Sequence, residues 1–395
     1  MKFTTNMSKV ERRHAPPPAI WALAGAVLAA SSAVPASASN LQLSYGTTAG
    51  VVNAVAVASL TTPNRFVTAV RNSALDLEVI AWFNNTATSQ VQRLGDHTAG
   101  EIIGCAVCAP TLSVVGIANN QFVTAVENEE GSLELIAFSV DSSGNIAREG
   151  TFIVTAPITS LALTALDGTH VVTVTTNGSS ETATLWDVDT LGNISQQGSS
   201  WSIADPSVLV GVVATSAAQL VVTQFVPNPG GIMMFSLSLN PSSLSLQDVT
   251  FYSTGYNENG AIEMLPLGGG NFAMALENGA DCLDISQWTI NTAGVMSQLT
   301  DNSSYLAINA LGLAAVGGLP FTITATFPGV FGDVFLEANV WGGSQSLAMG
   351  IDPNFVCTPD DGCIASAAGL GGTQVATASA AAAGDLHVDV WTFQE

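Results

Sequence analysis

A short apolar segment recurs seven times along this chain, and its regular spacing limits the possible folds more than any other feature. The first copy is Leu77–Phe83, the last is Leu386–Thr392, and neighbouring copies lie 48 to 56 residues apart. Self-similarity at such a period is typical of proteins built from many copies of one small structural unit. The sixth residue of each copy is usually a large aromatic: Trp82, Phe138, Trp186, Leu237, Trp288, Trp341 and Trp391. The sequence therefore predicts seven equivalent units.

Each unit has the pattern of a small antiparallel sheet. Apolar and polar residues alternate with a period of two in short runs that Gly, Asn, Asp and Pro separate, which indicates β-strands joined by tight turns. In the first unit we expect strand a at Asn53–Leu60, strand b at Arg65–Asn72, strand c at Leu77–Asn84 and strand d at Gln90–Gly95. Seven such units give seven four-stranded sheets.

Two turns of the unit have recurring residues. Strand b ends in asparagine in several copies, for example at Asn72 and Asn128. We expect this asparagine to adopt the left-handed backbone conformation that leads into strand c. The turn from strand c to strand d repeats a glycine, at Gly144, Gly192 and Gly294, which we expect to supply a positive φ.

The two ends of the chain complement each other. The last unit ends at Glu395 directly after its strand c, so it lacks a strand d. The segment Leu41–Gly50 aligns with the strand d region of the first unit, Val91–Gly100. We therefore predict that this N-terminal strand forms the outer edge of the last sheet, which closes a ring and leaves no inner sheet edge exposed.

With this layout the chain resembles the seven-bladed β-propeller superfamily. The way in which its N-terminal strand would close the ring resembles the WD-repeat proteins. Trp186-Asp187, at the end of a strand c, is similar to the dipeptide that names that group; the other units lack it, and the group's Gly-His pair is absent. The resemblance implies an all-β fold, a seven-bladed propeller of four-stranded antiparallel blades over residues 39–395. We carry over the fold and not the intracellular scaffold role, because a fold alone does not define an activity.

The repeated tryptophans have two interpretations, a core between blades or a surface on which sugars stack. A ring at the same position in most units is usually core, because every unit must pack against its neighbours in the same way. We predict a core position for this column, from which Trp201 stands apart.

The first 38 residues have the three parts of a secretory signal. Basic residues including Arg12 and Arg13 come first, then the apolar stretch Ala19–Val34, then Ala36-Ser37-Ala38. The stretch is shorter than the roughly 20 residues that span a bilayer. We therefore expect cleavage after Ala38, no transmembrane anchor, and a secreted or periplasmic bacterial protein. The general secretory route is the default, and the paired arginines leave a twin-arginine route open.

Positive charge is scarce in this sequence. Lys and Arg number 8 against 31 Asp and Glu, and only Arg65, Arg71, Arg93 and Arg148 remain after residue 38, with no lysine. Such a negative field repels phosphate backbones, so we expect no nucleic acid partner. Schiff-base lysines, Ser-Lys dyads and phosphate loops are also excluded, because each needs an ammonium group.

Five cysteines indicate disulfides if the chain is exported to an oxidising compartment. We predict the local pairs Cys105 with Cys108 and Cys357 with Cys363, which would pin long loops, and Cys282 lies outside both pairs. A redox or metal-binding role for Cys105-x-x-Cys108 is the alternative, and no βαβ pattern or second such motif accompanies it.

In a propeller, the loops from strand d to the next strand a and from strand b to strand c lie on one face, which we call the loop face. The longest and least repetitive loops fall there: Gly95–Thr111, Tyr252–Gly260, Phe327–Asp333 and Ile351–Cys363. Binding residues concentrate on loops that a rigid scaffold holds in place. Our candidate ligand-binding residues are Asp96, His97, Glu101, Tyr256, Asn257, Glu258, Phe331, Asp352, Asp360 and Asp361.

Two functions remain open. Histidines are dispersed and no HExxH or GxSxG motif occurs, which favours a non-catalytic binding or scaffold propeller that recognises an extracellular protein, peptide or glycan as a monomer. The alternative is a metal-dependent hydrolase or lyase at the mouth of the central channel, built from Asn53, Glu263, Asn309 and loop acids. We predict no cofactor for the first, and Ca²⁺ is the metal that oxygen ligands would suit in the second.

Overall fold

Antiparallel β-strands make up most of the chain in the computed structural model. The described residues are 40–44, 50–101, 112–204, 209–226, 231–240, 243–252, 262–277, 282–326, 334–342, 345–357, 364–380 and 384–394. They all belong to the unit Ala38–Glu395. The predicted signal segment lies outside the described residues and stays a prediction.

The first four blades follow one another along the chain. Strand β1 (Asn40–Ser44) precedes them. Blade 1 contains β2 (Val51–Ser59), β3 (Arg65–Asn72), β4 (Asp76–Asn85) and β5 (Gln90–Glu101). Blade 2 contains β6 (Leu112–Gly116), a 3₁₀ turn (Ala118–Asn120), β7 (Gln121–Glu127), β8 (Ser132–Val140) and β9 (Ile146–Pro157). Blade 3 contains β10 (Ser160–Ala165), β11 (His170–Thr176), β12 (Glu181–Val188), β13 (Ile194–Gln196) and β14 (Trp201–Ile203). Blade 4 contains β15 (Val210–Ser216), β16 (Gln219–Val226), β17 (Gly231–Asn240) and β18 (Ser243–Tyr252).

The remaining three blades complete the ring. Blade 5 contains β19 (Ile262–Gly268), β20 (Asn271–Glu277), β21 (Cys282–Ile290) and the first half of β22 (Met296–Val316). Blade 6 contains the second half of β22, then β23 (Leu319–Thr326), β24 (Val334–Gly342) and β25 (Gln345–Cys357). Blade 7 contains β26 (Ile364–Gly371), β27 (Gln374–Ala380) and β29 (His387–Gln394), while the short β28 (Gly384–Asp385) pairs with β2 of blade 1. The fold is a seven-bladed β-propeller.

The ring closes at both its inner and its outer edge. The inner strand of each blade contacts the inner strand of the next, and the last of them, β26, contacts β2. At the outer edge, β1 pairs antiparallel with β29, with Leu41 opposite Phe393 and Ser44 opposite Val390. The prediction that the N-terminal strand completes the last blade is therefore confirmed.

The tryptophan column lies in the core between blades, as predicted. The Trp82 side chain is fully buried, and its Nε1 donates a 2.9 Å hydrogen bond to Oγ1 of Thr68 on the neighbouring strand. This bond satisfies the indole N–H, which would otherwise be buried without a partner. The same bond recurs from Trp186 to Thr173, from Trp341 to Thr322 and from Trp391 to Thr377.

The predicted glycine turn between the third and fourth strands is confirmed. The structure also shows why this turn begins with an aspartate in blade 2. Gly144 has φ of 93°. Asp141 accepts hydrogen bonds from the backbone N–H groups of Ser143 and Asn145, and the Asn145 side-chain amide donates to its other oxygen. That side-chain bond is the main cause of the lowered pKa of Asp141. Equivalent contacts occur at Asp189 and Asn193.

Two details of the predicted unit are wrong. Asn72 does not have a positive φ; its side-chain oxygen accepts the N–H groups of Ala74 and Asp76, and Leu75 takes the left-handed conformation. The asparagine therefore shapes the turn through its side chain. The outer strand also extends beyond Gly95 to the end of β5, because its residues keep pairing with β4 across a β-bulge.

Candidate functional site

The described residues cover the loop face only in part. Its loops at 102–111, 205–208, 227–230, 253–261, 278–281, 327–333, 358–363 and 381–383 lie outside them. Six of the ten candidate ligand-binding residues fall in these gaps: Tyr256, Asn257, Glu258, Phe331, Asp360 and Asp361. Their role stays a prediction.

The other four candidates lie on outer strands and not in loops, which corrects the predicted location. Asp96, His97 and Glu101 belong to β5, and Asp352 belongs to β25. The predicted starts of these two loops were too early in the sequence. Both outer strands continue to pair with the third strand of their blade beyond the residues where the repeat pattern weakens.

Asp96 and His97 have contacts within the framework of the propeller. The Asp96 carboxylate lies 3.1 Å from the Arg93 guanidinium, and Arg93 also bonds Glu78 at 2.9 Å. The His97 ring packs edge-on against Phe138 of blade 2, with ring centres 5.9 Å apart. Asp96 therefore contacts a residue of its own blade, and His97 contacts blade 2.

Three of the four cysteines in the predicted disulfides lie outside the described residues. Cys105, Cys108 and Cys363 lie outside the described residues, and Cys357 ends β25. Both pairings stay predictions. Cys282 begins β21, where it is partly buried.

Glu263 is the one ionisable residue on the seven inner strands within the described residues. Its register position in β19 is filled in the other blades by small residues: Ala56, Ser113, Ala162, Gly211, Gly312 and Ser366. The glycines are in the two blades on either side of Glu263. A Cβ at Gly211 would come within 3.3 Å of Ile262 and Met264, which flank Glu263.

The environment of Glu263 favours its neutral form. The side chain is partly buried, and burial raises its pKa from 4.5 to about 7. No hydrogen bond or ion pair of Glu263 is present within the described part of the chain. A carboxyl group with this pKa is protonated below about pH 7 and ionised above it.

The two asparagines of the alternative hypothesis lie nearer the mouth of the channel. Asn53 is exposed at a β-bulge in β2, between Val52 and Ala54. Asn309 is at the equivalent bulge in β22. Bulges commonly re-aim a side chain. Within the described ranges, no group of three His, Cys, Asp or Glu side chains is placed to hold a metal ion.

A shallow cleft of about 440 Å³ lies on the opposite face, between blades 6 and 7. Its walls are Ala315 and the glycines of two neighbouring turns: Gly317, Gly318, Gly369, Gly371 and Gly372. These residues offer only backbone groups to a ligand, so the cleft has no acid, base or nucleophile.

Sequence reasoning missed one basic residue near the loop face. Arg71, at the end of β3, is buried, whereas the equivalent positions of blades 2 and 5 are Glu127 and Glu277. Its Nε has no hydrogen-bond partner among the described residues. The reversal of charge at a repeated position was the signal that could have identified it.

Comparison with known proteins shows the fold alone. No known protein family and no curated protein matches the sequence. A 6-phosphogluconolactonase-like protein from Bacteroides uniformis is similar with a TM-score of 0.53 at 9% identity, over 75% of this chain and 87% of that chain. A second such protein, from Bacteroides fragilis, has a TM-score of 0.51 at 10% identity, over 77% and 88%. A protein from Lactobacillus plantarum has a TM-score of 0.50 at 11% identity, over 78% and 90%.

Proposed function

We propose that this protein is an extracytoplasmic binding or scaffold propeller without catalytic activity, which recognises a protein, peptide or glycan through its loop face. The N-terminal sequence of residues 1–38 supports the compartment. In the described part of the chain no helix is long and apolar enough to cross a membrane.

One observation carries the proposal: Arg65 and Arg148, two arginines at repeated positions, bind backbone carbonyl groups of the neighbouring blade. Arg148 bonds Glu134 at 3.1 Å and donates to the Ala99 carbonyl of blade 1. Arg65 donates to the Asp141 carbonyl of blade 2 at 2.9 Å. With these groups engaged between blades, the non-repeating loops are the part of the chain free to vary with a ligand.

The test is a pair of loop replacements in the chain 39–395. Residues 253–261 on the loop face and residues 85–89 on the opposite face are each replaced by a Gly-Ser segment of equal length. Ligands are first found by glycan-array and peptide-display screening of the parent chain. We expect the loop-face replacement to abolish binding of such a ligand and the opposite replacement to leave it unchanged. Equal binding by both variants would place recognition elsewhere.

The alternative, a metal-dependent hydrolase or lyase, is favoured by Glu263 because a carboxyl group with a pKa of about 7 suits general acid-base catalysis. A rise in melting temperature with Ca²⁺ that a chelator reverses, together with loss of that rise in Glu263→Gln, would support it. Absence of any metal response in the parent chain would count against it.

A further inference from the structure

The outer strand of blade 4 exposes a row of apolar side chains. On β18, Leu246 is 46% exposed, Val249 is 44% exposed and Phe251 is 41% exposed. They lie opposite Leu237, Phe235 and Met233 of β17, so all three point to one face of the blade. Outer strands of blades 1 and 2 differ, because β5 exposes Gln92, Asp96 and Thr98, and β9 exposes Ile153 between two threonines.

The exposure results from a gap in the neighbouring blade. The outer strand of blade 3 is broken into β13 and β14, of three residues each. Trp201 of β14 covers Phe235, with ring centres 5.1 Å apart. The apolar face then continues outward onto Val249 and Phe251, which stay partly exposed.

The backbone edge of β18 is also open. Within the described residues it pairs with β17 and otherwise forms one bridge, from Ser243 to Ser199. Natural outer strands are usually protected by charged side chains that prevent another strand from adding. β5 carries the charged Arg93, and β9 carries the charged Arg148 and Glu149. The one charge on β18, Asp248, accepts the backbone N–H of Met296 in blade 5.

Charge identifies the kind of strand that fits. After Arg148 the sequence contains 21 acidic residues and no lysine or arginine. A partner strand that pairs with β18 therefore meets a part of the chain whose fixed charges are all negative. This favours basic partners and disfavours acidic ones. A second copy of this chain, with a net charge of −23, is disfavoured for the same reason.

We propose that β18 is a docking edge for an extended segment of a partner protein in which apolar and basic residues alternate. The segment pairs its backbone with β18, and its apolar side chains cover Leu246, Val249 and Phe251. Strand addition of this kind takes affinity from main-chain hydrogen bonds and specificity from alternate side chains. This surface is separate from the loop face, so the inference goes beyond the proposed function.

The test uses two fluorescent decapeptides, one of alternating valine and lysine and one of alternating valine and glutamate, with the chain 39–395. We expect the basic peptide to bind, to lose affinity as salt rises, and to slow hydrogen exchange of the β18 amides. The Val249→Lys variant should weaken binding at least tenfold. The matched control is Ile153→Lys, since Ile153 is 47% exposed on the outer strand of blade 2, and it should bind as the parent does.

Three results would overturn the proposal. They are equal binding of the acidic peptide, equal loss of binding in Val249→Lys and Ile153→Lys, and concentration-dependent dimerisation of the parent chain that Val249→Lys abolishes. Circular dichroism of both variants shows whether they are folded; if Val249→Lys unfolds, Phe251→Ser replaces it in the same comparison.

Discussion

Gly192, in the turn after β12, packs directly against the Glu149 side chain on the outer strand of the preceding blade. A Cβ on Gly192 would overlap Glu149, and a Cβ on Gly150 would overlap the Gly192 carbonyl. The contact recurs one blade earlier, where a Cβ on Gly95 would lie 2.5 Å from the Gly144 carbonyl oxygen. Glycine at these turns therefore permits close approach of neighbouring blades as well as a positive φ.

This contact predicts unequal effects of two glycine substitutions. Gly192 and Gly178 both have φ of 78°, but a Cβ on Gly178 would meet nothing within 4 Å. Gly178→Ala should lower the free energy of unfolding by about 1–2 kcal/mol, the penalty of a left-handed alanine. Gly192→Ala should lower it by a further ~1–3 kcal/mol through overpacking. Urea unfolding of both variants measures the difference, and equal losses would contradict the close contact.

The tryptophan-threonine hydrogen bond predicts unequal effects of two threonine substitutions on stability. Thr68→Val leaves the buried Trp82 N–H without its acceptor, which should lower the free energy of unfolding by ~1–3 kcal/mol. The control is Thr124→Val in blade 2, where Phe138 takes the tryptophan position and Thr124 makes only a 3.5 Å contact to the Ile136 carbonyl. Its loss in the same urea experiment should be smaller. A loss at Thr124 as large as at Thr68 would show that the indole bond is not the cause.

Glu263 predicts a dependence of stability on pH. Because burial raises the pKa of Glu263 to about 7 in the folded state, against an ordinary value of 4.5, the folded chain binds more protons than the unfolded chain between these pH values. Stability should therefore fall as pH rises from 4.5 to 7, by about 1–3 kcal/mol from this group. In Glu263→Gln that contribution should disappear, so the variant should be more stable than the parent at pH 8.

The control for this experiment is Glu130→Gln, which removes the same charge from an exposed turn. Thermal unfolding at pH 4, 6 and 8 compares the three proteins. If Glu130→Gln flattens the pH profile as much as Glu263→Gln, then net charge and not the channel carboxyl determines it.

The repeat in the sequence was sufficient to predict the blades, the buried column and the closure, because each depends on contacts that every unit must make. Features that depend on one neighbour were not predictable. The exposure of Val249 depends on the break at residues 197–200 in blade 3, and alternation along β18 is the same whether its face is covered or open. Asp96 and His97 were placed in a loop because strand length depends on continued pairing with β4, which the repeat pattern does not record.

The closure of the ring is tested most directly by cysteine cross-linking of β1 to β29. Gln42 lies opposite Thr392, and opposite residues in antiparallel strands are within disulfide range. The double variant Gln42→Cys/Thr392→Cys should form a disulfide that peptide mapping by mass spectrometry assigns to positions 42 and 392. In Gln42→Cys/Val388→Cys the second position is displaced by roughly 13 Å along the strand, so that pair should stay reduced. Absence of the first cross-link, or equal yields of both, would contradict a propeller closed by its N-terminal strand.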